Sequence, residues 1–131
     1  MSILGVGEAT QRKASTDWFR GLARLDRSEL ARCCSPEAVE RLRHHVALCR
    51  IGQPVPGGLT PEQFVEVVLD LRANELEWER AWLSAAVKAD DLVLAGQMEE
   101  AAHTLNAFAQ DCPWYALREA ALREASVLPR D

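Results

Sequence analysis

The chain is 131 residues long, 48% hydrophobic and 27% charged, with a net charge of −5. That length suffices to bury one sizeable core and is short for two ordinary domains, while no apolar run reaches the roughly 20 residues that a membrane-crossing helix needs. Helix formers dominate and no alternating β-branched run lies between turn residues, so strands find no support and a single-domain all-α bundle of five to six helices is predicted.

Residues 1–10 carry Gly5 and Gly7 with no capping residue, which predicts a loose terminus. Trp18, Phe19, Leu22 and Leu25 then fall at helical spacing and predict a first helix, with a start as early as Glu8. Asp26 followed by Glu29 has the spacing of a capping box and opens a short second helix through Leu30 to Cys33. Ser35, Pro36 and Glu37 open a third, whose Val39, Leu42, Val46 and Cys49 make an inner stripe. Residues 52–59, rich in proline and glycine, sustain neither helix nor sheet and predict a linker.

Thr60, Pro61 and Gln63 begin the element around which the rest is organised. Glu62, Glu66, Asp70, Glu77, Arg80, Ser84 and Lys88 keep one polar stripe in phase, so a single long helix of roughly 45 Å is predicted. One apolar row (Phe64, Val68, Leu71, Trp78, Trp82, Ala85) and another (Val65, Leu69, Leu76, Leu83, Val87) flank that stripe, and both are expected to be covered by neighbours. Asp90 and Asp91 sit unfavourably near a helix C-terminus and leave a bend open there, whereas Gly96 ends the helix. Met98, Ala101, Leu105 and Phe108 predict a further helix stopped by Pro113. Trp114, Leu117, Ala121, Ala125 and Leu128 predict the last.

The intervals among Gly96, Met98, Ala101, Leu105 and Pro113 resemble the turn and second helix of a tetratricopeptide repeat over residues 96–113. In that family a small residue makes the inter-helix turn, an apolar residue and an alanine pack the second helix on the first, and a proline starts the next repeat. The resemblance implies an antiparallel helical hairpin. Ala85 and Lys88 stand where the family's first helix carries an aromatic and a leucine, and no second copy follows at a 34-residue period.

Cys33, Cys34, His44, His45 and Cys49 form the best chemical constellation, since zinc takes thiolate and imidazole ligands. Against it, no Cys-x-x-Cys pair exists, and Cys49 already belongs to an inner stripe, where a free cysteine behaves as a small apolar residue. Glu75, Glu77 and Glu79 invite an acid and base reading, but Glu77 belongs to the polar stripe and paired Glu-x-x-His ligation is absent, so solvated or salt-bridged carboxylates are the favoured reading. His103 reads as a surface residue. No phosphate loop or nucleophile elbow occurs, and no catalytic residue, metal or cofactor is assigned.

Residues 1–51 hold 9 Lys+Arg against 6 Asp+Glu, and residues 52–131 hold 6 against 14. The small basic excess argues against nucleic acid, and no feature points to a membrane. The start of the chain lacks a signal-peptide pattern and Cys33, Cys34, Cys49 and Cys112 follow no disulfide framework, which predicts a cytoplasmic protein with free thiols. The heavy excess of Arg over Lys is a habit of GC-rich bacterial genomes.

These features predict a non-enzymatic protein–protein interaction module, an adaptor or small chaperone-like protein. It would bind another protein through a helical groove or an acidic face, with Trp78, Trp82, Trp114, Glu66, Asp70 and Glu77 as candidate contact residues. Apolar surface left open near the tryptophans predicts a homodimer or a captured partner. An immunity protein that neutralises a toxin is one alternative. A small metal-dependent or thiol enzyme is the other.

Overall fold

A computed structural model describes residues 3–49 and 55–128. Among them the structure is all helical: α1 (Ile3–Ala23), α2 (Arg27–Cys33), α3 (Pro36–Cys49), α4 (Pro61–Leu94), α5 (Met98–Asp111) and α6 (Tyr115–Ser126), with no strand. The first helix begins upstream of Glu8, inside the stretch expected to be loose. A glycine costs an α-helix only about 1 kcal/mol, so Gly5 and Gly7 weaken that start without preventing it. Of the linker expected at 52–59, residues 52–54 lie outside the described residues. The remainder is anchored: Val55 is buried, and the Cys34 thiol donates to the Leu59 carbonyl at 3.7 Å.

The starts of α2, α3 and α4 follow from side-chain oxygens that accept first-turn N–H groups. Asp26 accepts from the Glu29 amide at 2.8 Å while Glu29 accepts from the Asp26 amide at 3.4 Å, completing a capping box on α2. Those backbone donors hold the Asp26 carboxyl below its ordinary range. Ser35 accepts from Ala38 at 3.0 Å ahead of α3. Thr60 and Gln63 exchange the same reciprocal bonds at 3.2 and 2.9 Å ahead of α4.

The chain forms two compact units, Met1–Asn74 and Glu75–Asp131, so the division falls within α4 and not in the proline- and glycine-rich stretch. In the first unit Phe19, Leu22, Leu30, Val39, Leu42, Phe64, Val68 and Leu71 are all buried. Arg12 of α1 donates to the Leu48 carbonyl of α3 at 3.3 Å, and the Arg41 guanidinium lies 4.7 Å from the centre of the Trp18 ring.

In the second unit α4 continues through Asp90 and Asp91 to Leu94. The Gly96 amide donates to Val93 and the Gln97 amide to Leu92, at 3.0 and 2.8 Å, with Gly96 at φ 78°. That pair of bonds is a Schellman motif, which needs a residue in the left-handed region and so favours glycine. It folds α5 back on α4, where Ala89, Ala101 and Leu105 form a cluster bordered by Trp82, Leu92 and Val93. Pro113 interrupts the next turn, and α6 returns along α5 with Trp114, Leu117 and Ala121 buried.

Candidate functional site

The residues singled out for metal or thiol chemistry are dispersed. Cys33 and His44 are exposed, Cys34 is held by Leu59, and His45 and Cys49 are buried. Among the described residues no three His, Cys, Asp or Glu side chains are placed to hold a metal ion. His45 itself is a packing residue at the α1–α3 seam. Its ring stacks on Phe19 with centroids 4.8 Å apart, its Nδ1 lies 2.7 Å from the Ser15 hydroxyl, and the Cys49 sulfur is 3.7 Å away. Burial first, then the positive charges of Arg20 and His44, push its pKa from 6.5 down to about 4. A hydroxyl beside an imidazole is a nucleophile and base pair in principle, but this imidazole is 0% exposed and no substrate reaches it.

The acidic candidates divide between the units. Glu66 and Asp70 are exposed in the first, where Glu66 pairs with Arg27 at 2.6 Å in a solvated contact of the kind worth at most about 1 kcal/mol. Glu77 is exposed in the second. Glu75, by contrast, is 2% exposed, and no buried side-chain nitrogen or oxygen among the described residues lacks a hydrogen-bond partner.

Trp78, Trp82 and Trp114 serve the interior of the second unit. Trp114 is 3% exposed and so offers no contact surface. Trp78 and Trp82 are half-buried against Phe108, with centroids 6.0 and 5.5 Å apart. Exposed apolar surface lies elsewhere on α4, at Leu76, Leu83, Val87 and Leu94. The second apolar row is therefore covered at Val65 and bare at Leu83 and Val87, which are 63% and 60% exposed.

The second unit also carries a groove of about 860 Å³ between the start of α5 and the end of α6. Met98 and Ala102 line it from α5, and Leu122, Ala125 and Leu128 from the last turns of α6 and beyond. The small side chains of Ala102 and Ala125 leave its volume unfilled, and Leu122 is 43% exposed. Glu99 and Glu100 stand at its rim in the first turn of α5, where carboxylates complement the positive end of the helix dipole. Residues 75–131 hold 5 Lys+Arg against 11 Asp+Glu, so the groove sits in an acidic unit. Gln97, Asn106 and Ser126 add polar groups to the lining, so the groove is mixed, and its apolar residues and acidic rim suit a chain segment that combines apolar anchors with positive charge.

The one sequence signal for this groove was Leu122, an apolar residue one position off the inward stripe of α6. Comparison of the chain with protein-family models, with curated proteins and with solved structures gives no match.

Proposed function

We propose that the chain is a non-enzymatic helical adaptor that binds a basic segment of another protein in the groove between α5 and α6. The observation that carries this reading is the pairing of apolar walls at Met98, Leu122 and Leu128 with the acidic rim of Glu99 and Glu100. Apolar anchors would supply most of the affinity and the rim would select for lysine and arginine, favouring fast association at low salt. The tight turn at Gly96, followed by a returning helix and then a third, supports kinship with the tetratricopeptide-like hairpin that residues 96–113 resemble.

The test is selection of displayed peptides on the full chain, followed by nuclear magnetic resonance with the enriched sequences. Expected are peptides rich in Lys or Arg with bulky apolar residues at regular spacing. They should shift the signals of Met98, Ala102 and Leu122, and lose binding to Leu122→Glu. Enrichment of acidic peptides, or shifts confined to other surfaces, would overturn the reading.

A further inference from the structure

We infer that α4 pairs with α4 of a second copy, antiparallel, along a face separate from the α5–α6 groove. The residues are Leu76, Arg80, Leu83, Val87, Asp90 and Leu94, and all six are exposed. They follow one another at intervals of four, three, four, three and four, the seam spacing of a coiled coil. The opposite side of the same segment, with Trp78, Trp82 and Ala89, is committed to Phe108 and to the α5 cluster. A helix with apolar residues on two sides buries both when it has partners for both.

The order of side chains along the seam identifies the occupant. Read forward it is Leu, Arg, Leu, Val, Asp, Leu; read backward it is Leu, Asp, Val, Leu, Arg, Leu. The intervals are symmetric about position 85, so an antiparallel copy brings every seam position opposite another. Leu76 then meets Leu94 of the second copy, Leu83 meets its Val87, and Arg80 meets its Asp90, each contact occurring twice by the two-fold symmetry.

The charges decide the direction. A parallel copy in register would set Arg80 against Arg80 and Asp90 against Asp90, two like-charge contacts within the seam. The antiparallel copy replaces both with opposite pairs. Among the described residues, neither the Arg80 nor the Asp90 side chain has a hydrogen bond or ion pair, so both are available. At the flank Glu77 would approach Asp91 of the second copy, a repulsion at a solvated rim where such terms are small and screened.

The experiment is sedimentation equilibrium on the full chain from about 1 μM to 1 mM, the range in which a small helical interface dissociates. Expected is a monomer–dimer equilibrium, weakened at least tenfold by Leu83→Glu, a change at an exposed position that leaves the circular dichroism spectrum intact. Arg80→Asp and Asp90→Arg should each weaken self-association, because each sets like charges opposite one another in the antiparallel pair. An equimolar mixture of the two variants should form the heterodimer. A wild type monomeric across the range, a dimer indifferent to Leu83→Glu, or single charge variants that self-associate like the wild type would each overturn the inference. Because Leu122→Glu leaves this seam untouched, failure here and failure of peptide binding in the groove are read separately.

Discussion

His45 illustrates how one side chain can make stability depend on pH. Its pKa lies at about 4 when folded and at 6.5 as the ordinary value, so on acidification the unfolded chain takes up this proton before the folded one does. The contribution is full above pH 6.5 and is lost as pH falls toward 4, by an amount of the order of 3 kcal/mol. Urea unfolding of the wild type and of His45→Gln at pH 7 and pH 4.5 should reveal this: the variant loses less stability between the two pH values. Identical losses would mean that His45 is not held neutral. Cys49, also buried and touching the same ring, is expected to lose about 1 kcal/mol as Cys49→Ala, through the cavity left by sulfur, with no loss of bound metal. Neither His45 nor Glu75 was legible as a buried residue. Their burial is tolerated only because partners satisfy them, and for His45 that partner, Ser15, lies 30 residues away.

Elements were more legible than individual contacts, because what starts and stops a helix lies within a few residues of its end. The boxes at Asp26 and Glu29 and at Thr60 and Gln63 were readable from spacing alone, as was the left-handed glycine after α4. Thr60→Ala should cost about 1 kcal/mol in chemical denaturation, since Gln63 loses its acceptor. Gly96→Val should cost about 1 kcal/mol or more, a backbone penalty alone, because a Cβ there meets no atom within 4 Å. An unchanged midpoint would contradict the positive φ. The expectation that both apolar rows of α4 are covered failed at Leu83 and Val87. Periodicity tells which residues share a face, whereas coverage depends on how many neighbours the remaining chain supplies, and α5 reaches only one side.

At the scale of the whole molecule, the acidic excess noted downstream of residue 51 belongs chiefly to the second unit. Residues 1–74 hold 10 Lys+Arg against 9 Asp+Glu and are nearly neutral. No described helix is long and apolar enough to cross a membrane. The compositional argument for one core did not anticipate a division inside α4, because a helix without an interrupting residue gives no local sign of where its packing partners change. The turn after α4 also bears on the order in which the chain folds. Only Ala95, Gly96 and Gln97 separate α4 from α5, so Ala89 and Ala101, 12 residues apart and in one cluster, close a short loop of the kind that forms in well under a millisecond at little entropic cost. The α1–α3 seam must instead bring together residues about 30 apart, as Ser15 and His45 are. The hairpin is therefore the expected nucleus, and in stopped-flow experiments Gly96→Ala should slow refolding more than it accelerates unfolding, while Cys49→Ala should do the reverse.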